Sequence, residues 1–133
     1  MLKIPKKVEY AFLALKHIAE SPELVSVKEI SESVNIPFEL LAKILQKLNK
    51  AKIVESVQGT KGGYRLTKPA YEINLYQIID ALEQNVQMTD CMVQNASTEN
   101  CKRVKTCCLV NPISKIQLQI NNLLNELTLE KII

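Results

Sequence analysis

All three glycines of this chain lie between Gly59 and Gly63, in the stretch QGTKGG. On one side stands KIVESV, with the alternation and β-branching of a strand; on the other, YRLT reads as a second one. Glycine accepts positive φ and lets backbone approach backbone. The stretch therefore predicts a β-hairpin with a flexible, basic tip.

The residues before the hairpin are helical in pattern. In KKVEYAFLALKHIAE, Val8, Ala11, Phe12, Leu15, Ile18 and Ala19 recur at helical spacing, with Pro5 opening the helix and Pro22 ending it. Ser26 and Glu29 form a capping box, each satisfying an orphan backbone N–H, for a short second helix through about Val34. Asn35 and Ile36 make a tight connection. Pro37 suits the first position of a third helix, PFELLAKILQKLNKA, whose Phe38, Leu41, Ile44, Leu45 and Leu48 predict a buried stripe. Helix, turn, helix, then hairpin is the order of a winged helix-turn-helix. In that architecture the third helix enters the major groove of DNA, and the hairpin tip follows the backbone or the minor groove.

Charge supports this reading through its placement. The net charge is only +3, but residues 1–70 hold 12 Lys/Arg against 7 Asp/Glu, and residues from Tyr71 onward hold 5 against 7. The surplus is concentrated between Pro37 and Lys68: Lys43, Lys47, Lys50, Lys52, Lys61, Arg65 and Lys68 face only Glu39 and Glu55. Such a stripe binds phosphates, or is a solvated lysine face; motif order favours DNA. Glu39, Leu40, Ala42 and Lys43, early in the third helix, are the candidates to approach base edges. Lys47 and Lys61 suit phosphates, because an ammonium on a flexible stem acts as a point charge. Gln58 and Thr60 can hydrogen-bond from the wing, and Gly59, Gly62 and Gly63 let its backbone come close. A winged helix that binds only protein is the alternative.

After the wing, Asn74 with Gln77 caps a fourth helix, NLYQIIDALEQ, expected to bury Leu75, Ile78, Ile79 and Leu82. A polar segment from Asp90 to Cys108 follows and contains all four cysteines. Asn111 then serves as cap and Pro112 as first residue of a long last helix. Its Ile113, Ile116, Ile120, Leu123 and Leu127 alternate steps of three and four, a heptad seam that either packs on the first helix within a monomer or, as its regularity favours, forms a homodimer able to match a two-fold symmetric operator. The expected organisation is a winged-helix DNA-binding domain over 1–84, a cysteine-rich sensor loop over 85–111, and a dimerisation helix with tail over 112–133.

The fold class is thus mainly α with a small β-hairpin. At 15.0 kDa and 47% hydrophobic residues the chain suits one soluble domain, and no apolar run approaches the roughly 20 residues of a membrane span. The start, MLKIPKKVEY, lacks a secretory pattern, so a cytoplasmic location is expected, with no membrane partner. There a cysteine cluster points to metal or redox chemistry more than to disulfides. Catalysis finds no support: there is no Ser/His/Asp set and no phosphate-cradling loop before a helix, so the chain is not expected to be an enzyme.

Taken together, VEYAFLALKHIA, the run from ISESVNIPFELL to the GGYRL wing and LYQIIDALE, the clustered cysteines and the final helix resemble the IscR/NsrR family of bacterial winged-helix regulators. The resemblance covers essentially the whole chain. It implies a homodimeric transcription factor on double-stranded operator DNA, with RNA polymerase as a further candidate partner. It also implies an iron-sulfur cluster, 2Fe-2S or 4Fe-4S, whose state governs operator binding in response to nitric oxide, redox or iron-sulfur status. Family members use three cysteines, the last two commonly five residues apart, and Cys101-x5-Cys107 with Cys91 reproduces that set. The fourth ligand stays open. The histidine that follows the last cysteine in the IscR branch is missing here, where Val110 and Asn111 stand. The NsrR branch uses an aspartate of the first helix, and the matching position in VEYA is Glu9. Cys108 competes with it. Ala42 also departs from the glutamate that discriminates operators in IscR-type proteins.

Readings without a cluster remain. Zinc usually pairs its cysteines at closer spacing than Cys91, Cys101, Cys107 and Cys108 offer. A cluster-free thiol switch is stronger, because Lys102, Arg103 and Lys105 around Cys101 stabilise an anion, whether a reactive thiolate or a cluster.

Overall fold

The computed structural model describes residues 3–83, 86–92 and 97–133. Among these described residues, five helices and one hairpin follow in the order α1 (Lys6–Glu20), α2 (Val27–Val34), α3 (Phe38–Lys50), β1 (Val54–Val57), β2 (Gly63–Leu66), α4 (Leu75–Glu83) and α5 (Val110–Glu126). Short 3-10 turns occur at Ala70–Glu72, Asp90–Met92 and Leu129–Lys131. The expected helix end at Gln84 and the domain boundary at 84/85 lie outside the described residues.

The helix α1 is the hub, packing against α2, α3, α4 and β2. Its Val8, Ala11, Ala14, Leu15 and Ile18 are buried together with Leu41, Ile44, Leu45 and Leu48 of α3, Ile30 of α2, and Ile78 and Leu82 of α4. Both predicted capping boxes form. Ser26 Oγ accepts the Glu29 N–H at 3.1 Å while Glu29 Oε2 accepts the Ser26 N–H at 2.8 Å. Asn74 Oδ1 accepts the Gln77 N–H at 2.9 Å, and Gln77 Oε1 accepts the Asn74 N–H at 3.3 Å. Between α2 and α3, Asn35 takes the left-handed conformation (φ 54°), and Ser31 Oγ donates to Ile36 O at 2.6 Å. Asparagine tolerates that conformation, so the tight turn forms without glycine.

Several expectations are corrected. Pro37 precedes α3 as its cap residue rather than filling its first position, and Ile79 of α4 is only partly buried. Phe38 does not join the buried stripe of α3: it is 54% exposed, because it stands in the first turn, beyond what the neighbouring helices cover. The last helix starts at Val110, with Leu109 rather than Asn111 as its cap residue. Pro112 is then third in the helix, where its missing N–H costs nothing, since the first four N–H groups have no intrahelical partner. The five-residue seam of α5 is also divided. Ile113, Ile120 and Leu127 are partly buried, whereas Ile116 and Leu123 point outward with Leu109 and Leu118. The helix packs on α4, so part of the stripe serves that contact.

After α5 the chain returns to the core. Leu127 O accepts the Leu75 N–H at 2.9 Å, the Leu129 N–H donates to Ile73 O at 2.7 Å, and Leu129 is fully buried. Its side chain carried no periodic signal in the sequence, because it stands alone after the helix. Leu129→Ala is expected to cost about 2–5 kcal/mol of unfolding free energy, as for other buried leucines. Exposed Ile132 is the control, with Ile132→Ala expected to stay within about 1 kcal/mol in the same urea titration.

Candidate functional site

One face of α3 is spent on the core, which leaves the opposite face free. Glu39, Leu40, Lys43, Gln46, Lys47 and Lys50 are exposed on it, and Ala42 is partly buried beside them. Exposed Phe38 and Gln46 were missing from the predicted set. Gln46 was legible, since it falls outside the apolar stripe; Phe38 was not, because its spacing matches that stripe.

The wing is built by close backbone contacts. Strands β1 and β2 pair antiparallel from Val54↔Leu66 to Val57↔Gly63. A further antiparallel bridge joins Tyr64 to Val25 in the connection between α1 and α2: Tyr64 N–H to Val25 O is 2.8 Å and Val25 N–H to Tyr64 O is 3.2 Å. This bridge explains Gly63, since a Cβ there would stand 2.6 Å from Val25 O. A Cβ on Gly62 would collide with Val57 O, whereas Gly59 is needed for its φ of 127°. Gln58, Thr60 and Lys61 are exposed at the tip. Arg65 is held across the strands by Glu55, so this cation of the basic stripe is already partnered.

The cysteine segment is a run of turns. Cys91 lies in the turn Asp90–Met92, with its Sγ 3.0 Å from Thr89 Oγ1. The Cys101 N–H donates to Ser97 O at 3.1 Å, and the Cys107 N–H donates to Arg103 O at 2.8 Å. Cys107 O then accepts the N–H of Val110, the first residue of α5, at 3.5 Å. Cys91, Cys101 and Cys107 are partly buried, Cys108 is exposed, and all four are free thiols. Residues 93–96 of the predicted loop lie outside the described residues.

Among the described residues, no three His, Cys, Asp or Glu side chains are gathered so as to hold one metal ion. Cys91, Cys101 and Cys107 are therefore not assembled into a ligand set. Glu9 is engaged elsewhere, accepting from Lys6 Nζ at 2.8 Å in an exposed pair. The hydrogen bond to Glu9, with the attraction of its charge, holds the Lys6 ammonium above the usual lysine range. In kind, the donors suit an iron-sulfur cluster, which takes cysteine thiolates.

Helix-turn-helix, a wing bridged to the α1–α2 connection, and a lysine-bearing outer face on α3 define a winged-helix protein of the class that docks on duplex DNA. The chain matches the Rrf2 family, described as an iron-dependent transcriptional regulator, over residues 4–133. It belongs to that family of transcriptional regulators, to which IscR and NsrR relatives also belong, as its motifs implied. It is 32% identical over 134 residues to the HTH-type transcriptional regulator NsrR of Oceanobacillus iheyensis, covering 99% of this chain and 90% of that one. Among solved structures, CymR (YrzC), the global cysteine regulator of B. subtilis, superposes with a TM-score of 0.75 at 25% identity, covering 99% of this chain and 96% of that one. T. potens IscR gives 0.70 at 27%, covering 98% and 85%. Among the described residues, no helix is long and apolar enough to cross a membrane.

Proposed function

We propose that this chain is a homodimeric, operator-binding regulator whose cysteine segment senses iron-sulfur, redox or nitric oxide status. Cys91, Cys101 and Cys107 are the thiolate ligands of an iron-sulfur cluster in this reading, with Glu9 or Cys108 as the fourth. The observation that carries it is position: every thiol lies on one segment whose last turn runs directly into α5. When bound, a cluster supplies a link across the segment that oxygen or nitric oxide can destroy.

The chain's own residues supply the output. Glu39, Leu40, Ala42 and Lys43 face base edges, Lys47 and Lys61 neutralise phosphates, and Gln58 and Thr60 bond from the wing, with Gly59, Gly62 and Gly63 shaping it. Leu109, Ile116 and Leu123 recur every seven residues on the exposed side of α5 and form the face for a second copy. RNA polymerase is a further partner class for such a regulator.

A second reading, a cluster-free thiol switch, draws on the unassembled thiols and on the likeness to a protein titled a global cysteine regulator. Anaerobic purification separates the two. A brown protein carrying stoichiometric iron and acid-labile sulfide is expected; a colourless protein that takes up neither after reconstitution would overturn the cluster reading and leave the thiol switch.

A further inference from the structure

We infer that Gln117 is the positioning residue that couples the cysteine segment to α5, an inference that rests on the sensor reading above. Gln117 lies in the middle of α5 on its inward stripe, between Ile113 and Ile120, where the pattern calls for an apolar side chain. It is 7% exposed and is the one buried polar residue among those described. A buried amide is costly unless its bonds are made, and this one makes three. Its Oε1 accepts the Met88 N–H at 2.6 Å, and its Nε2 donates to Val86 O at 2.8 Å and to Asn121 Oδ1 at 2.8 Å.

Two of these bonds go to backbone groups of residues 86 and 88. Gln117 therefore reads the path of the chain entering the cysteine segment rather than its side chains. Asn121, one turn along α5, fixes the orientation of the amide. Next to the clamped Met88 comes Thr89, whose Oγ1 lies 3.0 Å from Cys91 Sγ and whose O accepts the Met92 N–H at 3.0 Å. A change at the Cys91 sulfur that turns Thr89 or opens this turn pulls on Met88. The clamp must then carry α5 with it or leave a buried amide unpaired. The far end of α5 is pinned by Leu127 and Leu129, so displacement at Gln117 tilts the helix against α4 and the winged helix rather than being lost in a free tail.

The test compares the full-length wild type with Gln117→Leu on a duplex that the wild type selects from a random pool. Each protein is titrated as reduced thiols, after anaerobic reconstitution with ferrous iron and sulfide, and after peroxide treatment. The wild type is expected to change its operator Kd by about tenfold or more between reduced and treated forms, within the usual range of coupled sites. Gln117→Leu is expected to keep one Kd within about twofold across all three forms, while taking up iron or losing free thiols as the wild type does. A Gln117→Leu protein with the full wild-type response would overturn the relay alone. A wild type that does not respond would overturn the sensor reading, and the relay with it. Should Gln117→Leu fail to fold, amide exchange at Met88 in the wild type decides. A rate that differs between reduced and treated forms supports the clamp, and equal rates overturn it.

Discussion

Reversing two charges on the outer face of α3, with Lys43→Glu and Lys47→Glu together, is expected to weaken operator binding by at least about a hundredfold near physiological salt, because Lys47 loses a phosphate contact with its counterion release and Lys43 loses a base-edge contact, each replaced by a charge that repels DNA. Both side chains are exposed and lie opposite the buried Leu41, Ile44, Leu45 and Leu48, so the fold should survive with stability changed by less than about 1 kcal/mol. The salt dependence identifies the cause. With Lys47 on one phosphate, the slope of log K against log salt should fall by roughly 0.9 in Lys47→Ala, whereas Lys43→Ala should lose affinity and relax base preference by about 1–3 kcal/mol at the position it reads. Arg65→Ala is the internal contrast, since Glu55 already holds that guanidinium and little affinity should be lost. An unchanged slope for Lys47→Ala together with unchanged affinity and base preference for Lys43→Ala would remove α3 from the interface.

The second large effect concerns the thiols. Cys101→Ser should leave iron and sulfide after anaerobic reconstitution at less than about one fifth of the wild-type content, because an iron-sulfur cluster held by three thiolates cannot spare one. Its operator affinity should then be the same with and without reconstitution. Glu9→Gln and Cys108→Ser divide the fourth-ligand question. The true ligand, when replaced, should make the cluster lose its colour faster in air, while the other variant follows the wild type. Glu9 has to leave Lys6 to serve, which an exposed ion pair permits at small cost.

The readable parts of this protein were those governed by local chemistry. Ser26 with Glu29, and Asn74 with Gln77, announce helix starts because the side chains that satisfy the first N–H groups must stand three residues apart. Two glycines marked the wing for a local reason, Gly59 by its φ and Gly62 by the nearby Val57 O, whereas the demand on Gly63 comes from the distant backbone of Val25. What escaped was set by distant packing. Phe38 and Leu41 share a spacing but not a cover, and Leu129 is buried only because the chain turns back onto Ile73. Nothing in the sequence pairs Gln117 with the backbone of Val86 and Met88, 31 and 29 residues before it. The cysteines were legible as a set and not as a geometry, since sequence spacing cannot say whether Cys91 and Cys107 meet.

In the function proposed for this chain, the state of the cysteine segment controls operator affinity. Fluorescence anisotropy on one selected duplex, with the same wild-type preparation before and after anaerobic loading with ferrous iron and sulfide and then after exposure to nitric oxide, tests it directly. The Kd is expected to shift by about tenfold or more on loading and to return on exposure, as for two coupled sites. A single Kd through all three stages, in a protein shown to have gained and lost its iron, would contradict it.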